Sequence, residues 1–167
     1  MSATSNSHAG SNKLNIRFAQ SADVSALAAL INAAFRVEQP FIDGDRTNPD
    51  GVRTYMQKGK FLLAEDAAGL AGCVYVELRG DRGYLGLLGV DPPRQGTGLG
   101  RKLMDAAEDY FREVGCRAVD LRIVSARTPL PPFYRRLGYL ETGTAPFAPD
   151  VLLKTPCHYI LMSKALS

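Results

Sequence analysis

The 167-residue sequence has no tryptophan, two histidines and three cysteines. Cys73, Cys116 and Cys157 are about forty residues apart with no C-x-x-C pair, so a disulfide framework is excluded and the thiols are expected to be reduced core or near-core residues of a cytoplasmic protein. With so few histidines, no metal site is expected. No apolar run approaches the ~18 residues of a membrane span. Charge of either sign is also scarce in excess. Twenty basic against 17 acidic residues leave a net charge of +3, and the tightest basic groupings are the pairs Arg101-Lys102 and Arg135-Arg136. That balance gives no footprint for nucleic acid. Residues 1–13 are rich in Ser, Asn, Ala and Gly and lack an apolar signal-peptide core. They are expected to form a disordered leader in which His8 is inert, with one domain over 14–167.

The remaining chain is 46% hydrophobic overall, enough for a sizeable core. Leu14–Gln20 alternates as a half-buried strand, and Ser21 with Asp23 reads as the start of a helix carrying Val24, Leu27, Leu30, Ile31, Ala34 and Phe35 on one face. Arg36–Asp50 is polar and holds two prolines, so a mobile loop is expected, followed by a short helix at about Asp50–Gln57. Lys60–Glu65, Leu70–Arg79 and Tyr84–Val90 read as three consecutive antiparallel strands joined by Gly-containing turns. Gly100–Val114 is an amphipathic helix, Ala118–Val124 a strand, Pro131–Leu137 a short helix, and Tyr139–Thr142 and Cys157–Ser163 closing strands. The order β-α-α-β-β-β-α-β-α-β-β specifies a mixed α/β (α+β) domain with a mostly antiparallel sheet flanked by helices.

The most informative segment is Leu87–Arg101. A strand ends, Pro92 and Pro93 stop further pairing, and Gly96, Gly98 and Gly100 lead into a helix. The first N–H groups of a helix have no internal partner and the dipole there favours negative charge, so this turn suits a phosphate or pyrophosphate. The spacing G-x-G-x-G fits neither a P-loop nor the G-x-G-x-x-G dinucleotide fingerprint. A plain tight turn and helix cap is the bland alternative.

Gln95-x-x-Gly98-x-Gly100 resembles the [RQ]-x-x-G-x-[GA] motif of the GNAT superfamily of N-acetyltransferases, and Phe133-Tyr134-Arg135-Arg136-Leu137-Gly138-Tyr139 resembles that family's F-Y-x-x-x-G-[FY] segment. The element order matches from about Leu14 to Lys164. The resemblance implies acetyl-CoA as cosubstrate and transfer of its acetyl group to a primary amine of a small molecule or peptide in a ternary complex. It implies backbone pairing of Leu88, Gly89 and Val90 with the pantetheine arm, pyrophosphate binding by Gln95, Gly96, Thr97, Gly98, Leu99, Gly100 and Arg101, and Tyr134 as general acid beside the sulfur. Arg101, Lys102 and Arg135 or Arg136 stand where a coenzyme A phosphate could reach. Homodimers occur among similar proteins. Arg127 occupies a position where many members carry Asn.

No carboxylate or histidine lies on Tyr84–Val90, so the general base is open. Glu77, on the same strand face as Cys73 and Tyr75, and Glu38, in the loop after the first helix, are the carboxylate candidates; His158 is a third. Each has a structural alternative: a strand-end or loop acid in solvent, or a satisfied sheet histidine. Glu38, Asp43, Asp45 and Asp50 concentrate negative charge where the family's acceptor docks, which suits a cationic amine. Two rival readings remain, a non-catalytic acyl-CoA-binding regulator and a nucleotide-binding module.

Overall fold

The structure, a computed structural model, describes residues 13–167. The expected leader, His8 included, lies outside the described residues except for Lys13. The elements are β1 (Asn15–Phe18), α1 (Val24–Phe35), α2 (Pro49–Lys58), β2 (Lys60–Asp66), β3 (Gly69–Arg79), β4 (Arg82–Val90), α3 (Leu99–Glu113), β5 (Ala118–Val124), α4 (Leu130–Arg136), β6 (Leu140–Ala145) and β7 (Tyr159–Ala165). Their order is the one read from the pattern.

Local chemistry moves several boundaries. The cap expected at Ser21 is made one residue earlier. A 3₁₀ turn over Ser21–Asp23 precedes α1, and the Asp23 carboxylate accepts the Gln20 N–H at 2.7 Å while holding Arg17. Helix α2 starts at Pro49 because Asn48 caps it, its Oδ1 accepting the Gly51 N–H at 2.8 Å. The expected loop over Arg36–Asp50 carries a 3₁₀ turn at Arg36–Glu38 and is pinned to the 147–154 segment. There Ile42 bridges Leu153, the Asp43 N–H donates to the Leu152 carbonyl and the Lys154 N–H to the Phe41 carbonyl.

The seven strands form one sheet in the order β1-β2-β3-β4-β5-β7-β6. Every pairing is antiparallel except β4 with β5. Alternation along β3 sends Val74 and Val76 to the face covered by α3, where Leu103, Met104 and Phe111 meet Leu85, Leu121 and Met162. Cys73 and Tyr75 go to the opposite face, with Leu27 and Ile31 of α1 and Val52 of α2. Cys73 and Cys116 are buried and Cys157 half-buried, all as free thiols, and desolvation pushes Cys73 up to about 12.

The β4–β5 junction positions the site. These parallel strands pair only from Arg82–Tyr84 to Ala118–Asp120, then separate. At the paired end Gly83 lets α3 pack directly on β4: a Cβ there would stand 2.5 Å from the Phe111 ring. Beyond it β4 bulges. Cys73 faces Gly89 while Tyr75 faces Gly86, so β4 carries one residue more than β3 across this interval. Leu87 takes up the excess at φ 49°, in the left-handed region, with its side chain buried among the α1-side residues.

Candidate active site

The splayed strands enclose a cleft walled by Leu85–Leu88 of β4 and Leu121–Val124 of β5, floored by Tyr134 and closed by Arg127, Glu38 and Tyr159. From Leu85 onward the β5-facing edge of β4 has no strand partner, so its peptide groups are left for an extended ligand. Leu88, Gly89 and Val90 lie on this unpaired stretch.

At the far end of β4 the chain turns through Pro92–Arg94 into α3. Arg94 braces the turn, reaching Asp66 at 2.8 Å, Asp91 at 2.9 Å and the Leu70 carbonyl at 3.1 Å. The Gln95 amide donates to the Val90 carbonyl at 3.3 Å and the Thr97 hydroxyl to the Arg94 carbonyl at 2.7 Å. Gly96 and Gly98 adopt φ 80° and 81°, and a Cβ on either would meet no protein atom within 4 Å. Gly98 is the N-cap of α3 and supplies no side-chain cap. The leading N–H groups of this 15-residue helix therefore open onto free space, with exposed Arg101 and Lys102 beside them. The unpaired edge of β4 runs on from the cleft to the uncapped turn, an order that fits a pantetheine arm ending in a pyrophosphate. The residues present fit acetyl-CoA. Arg135 and Arg136 are both exposed, and Arg135 is paired with Glu141.

The candidate bases separate clearly. Glu77 sits opposite Tyr84, where β4 and β5 are still paired; it accepts the Tyr75 hydroxyl at 2.8 Å and is bonded to Arg79, and it lines neither the cleft nor the cavity beside it. Bonds from Tyr75 and Arg79 outweigh its desolvation and hold it below the usual carboxylate range. His158 is exposed just before β7, its backbone N–H donating to Ser125 Oγ. Glu38, expected to be a loop acid, is buried, with 6% of its side chain exposed. Its Oε2 accepts from Arg127 Nη1 at 3.3 Å, and its buried Oε1 has no hydrogen-bond partner among the described residues. Desolvation raises its pKa, opposed by the positive charges of Arg46 and Arg127. Glu38 lines both the cleft and an adjoining cavity of about 310 Å³ formed by the 35–46 and 147–152 segments.

Tyr134 is buried on α4, with its ring edge-on to Phe133 and to Tyr139 at centroid distances of 5.0 and 5.9 Å. Burial pushes its hydroxyl far above the ordinary phenol value, so it keeps its proton throughout the working pH range. Arg127, the departure from the family pattern, lines the cleft and holds Glu38 from 89 residues away. Sequence reasoning found Glu38 but missed this pairing and the bulge at Leu87. The internal glycines Gly86 and Gly89 were the available signal for the bulge.

The family model described as acetyltransferase (GNAT) family matches residues 25–139, which include all of α1 but its first residue, the splayed strands, the glycine turn and Tyr134. The chain belongs to the GNAT acetyltransferase family. A mycothiol acetyltransferase of Propionibacterium freudenreichii is 31% identical over 138 residues, 76% of this chain and 44% of that protein. An IAA acetyltransferase of Azospirillum brasilense is 28% identical over 96 residues, 56% of this chain and 63% of that protein. The GNAT chain spans less than half the length of the mycothiol acetyltransferases it matches. A Salmonella typhimurium protein solved with its cofactor acetyl-CoA superimposes with a TM-score of 0.75 at 23% identity, covering 93% of this chain and 95% of that one. A ribosomal-protein-alanine N-acetyltransferase from Brucella melitensis gives 0.74 at 20% identity, over 91% and 99% of the two chains. These likenesses establish the GNAT fold. No helix among the described residues is long and apolar enough to cross a membrane.

Proposed function

We propose that this GNAT domain transfers the acetyl group of acetyl-CoA to a primary amine by direct attack in a ternary complex. The carrying observation is Glu38, a buried carboxylate with one unpartnered oxygen, shared by the cleft and the cavity next to it. In this reading the unpaired edge of β4 at Leu88, Gly89 and Val90 binds the pantetheine arm, and the turn from Gln95 to Arg101 holds the pyrophosphate on the N-terminus of α3. The amine enters through the cavity, opposite the thioester.

A lysine-like ammonium at pH 7.4 is only about one part in a thousand neutral, a deficit of roughly 4 kcal/mol. Glu38 Oε1 takes the proton that the ammonium must lose. Burial moves its pKa towards that of the ammonium, and the positive charges of Arg46 and Arg127 oppose that rise. The amine nitrogen then bonds to the acetyl carbon, the C–S bond breaks, and the amide's surplus proton ends on the thiol. Tyr134, raised by burial, is a poorer full acid than an exposed phenol. It acts chiefly as a desolvated hydrogen-bond donor to the leaving thiolate.

Glu38 also favours catalysis over a cofactor-binding regulator, since stable binding alone does not call for a buried carboxylate with one oxygen left unpartnered. The test is coenzyme A release from acetyl-CoA with a panel of primary amines. Amine-dependent thiol release supports the reading; tight acetyl-CoA binding with no release from any amine would leave the regulator.

A further inference from the structure

The acceptor cavity is lined by four acids, Glu38, Asp43, Asp45 and Asp150, against a single base, Arg46. The acids differ in burial. Glu38 is buried, whereas the three aspartates are exposed and make no ion pair among the described residues. Arg46 lies over the Phe35 ring, its guanidinium carbon 5.5 Å from the centroid. The same cavity is lined by apolar groups, among them Ile42 and the Phe147 and Tyr159 rings, which pack at 4.1 Å between centroids. The unpartnered Oε1 of Glu38 is the independent sign that this cavity receives a ligand group.

We propose that the acceptor is a dication with an apolar spacer, a diamine or polyamine, held with one nitrogen at Glu38 and the other at the exposed aspartates. This rests on the acetyl-transfer reading of the same site and adds the substrate class. The inner ammonium gives up its proton to Glu38 and is acetylated. The distal ammonium remains charged among Asp43, Asp45 and Asp150, and the methylenes cover the aromatic walls. A distal carboxylate would face three like charges with Arg46 as its only partner.

Three probes of equal length isolate the distal group: 1,5-diaminopentane, 1-aminopentane and 5-aminopentanoic acid. The kcat/KM values are expected to fall in that order. The diamine should lead the monoamine by about tenfold at low ionic strength, as expected of three exposed charge pairs worth up to a few-fold each. The lead should shrink as salt approaches ~1 M, where the Debye length is ~3 Å. Combined Asp43→Asn, Asp45→Asn and Asp150→Asn should compress the diamine-to-monoamine ratio to within about threefold. Equal rates for all three probes, or a preference for the amino acid, would overturn this assignment while leaving amine acetylation standing. Acetyl-CoA binding without thiol release from any of them would remove both.

Discussion

Replacing Glu38 by glutamine keeps the length and shape of the side chain and an oxygen for Arg127, but removes the base. The expected loss comes from proton abstraction. A positioned general base contributes ~10² to 10⁴ in rate, or roughly 3 to 5 kcal/mol. That range brackets the ~4 kcal/mol needed to neutralise a lysine-like ammonium at neutral pH. At pH 7, kcat/KM should therefore fall at least about a hundredfold, with acetyl-CoA affinity little changed. The deficit should narrow as pH rises, because the variant takes its neutral amine from solution. Its log kcat/KM should climb with a slope of about one towards the amine pKa of ~10.4, whereas the wild type climbs at lower pH as Glu38 ionises and then flattens. Stability supplies a second reading with the opposite sign. Burial raises the folded pKa of Glu38 above its unfolded value, so the ionised carboxylate weakens the fold, and the cost appears as pH rises through the folded pKa. Glu38→Gln should thus be no less stable than wild type at pH 7 in urea unfolding while being far less active. A variant within threefold of wild type at pH 7, in single-turnover thiol release with saturating acetyl-CoA, would refute the reasoning.

Arg127→Asn removes a donor and a positive charge from Glu38, so the acid limb of kcat/KM should move to higher pH and return with Arg127→Lys; a purely structural role would leave the limb in place. Tyr134→Phe keeps the ring against Phe133 and Tyr139 and should lower the single-turnover rate by about 10² at unchanged acetyl-CoA affinity; near-normal turnover would reduce Tyr134 to packing. Gly98→Glu should weaken acetyl-CoA more than tenfold by placing a bulky acid where the pyrophosphate docks. Because Gly98 sits at φ 81°, Gly98→Asn, which tolerates that conformation, separates obstruction from backbone strain. Calorimetric affinities close to wild type for both variants, with normal circular dichroism, would move the pyrophosphate elsewhere.

What could be read from sequence depended on how local each determinant is. The glycine turn was legible because its chemistry is contiguous: prolines stop β4, the Gly96–Gly100 spacing frees the backbone, and an amphipathic helix follows at once. Alternation along β3 likewise placed Cys73, Tyr75 and Glu77 on one face. It could not show that Glu77 stands where β4 and β5 remain paired, because that depends on the register with another strand. Glu38 was the harder case. Its neighbours Arg36, Val37, Gln39 and Pro40 are all exposed, so the local pattern gives no sign of its burial. The 152–154 segment crosses the loop at Phe41, Ile42 and Asp43, and Arg127 arrives from 89 residues away. Such burial is a property of the chain's path, and a polar loop pattern carries no trace of it.

The two halves of the site meet because β4 has incompatible tasks at its two ends. At Gly83 it must lie close enough to β5 to pair, while the absent side chain makes room for the Phe111 ring of α3 above it. Only a few residues on, it must stand clear of β5 so that its edge can receive a ligand. A regular parallel ladder would zip onward and seal the cleft. The bulge at Leu87 supplies the extra residue that bends β4 away, at a conformational cost of order 1–3 kcal/mol for a non-glycine residue in the left-handed region. Burying the Leu87 side chain in the α1-side core offsets about 1.5–3 kcal/mol of that cost. Helix α1 therefore has two roles. Leu27 and Ile31 belong to the cluster that receives Leu87, and the turn at the helix's C-terminus delivers Glu38 to the opening that the bulge creates. An unpaired β4 edge and a carboxylate beside it thus follow from one packing arrangement, which couples the position of Glu38 to the path of β4.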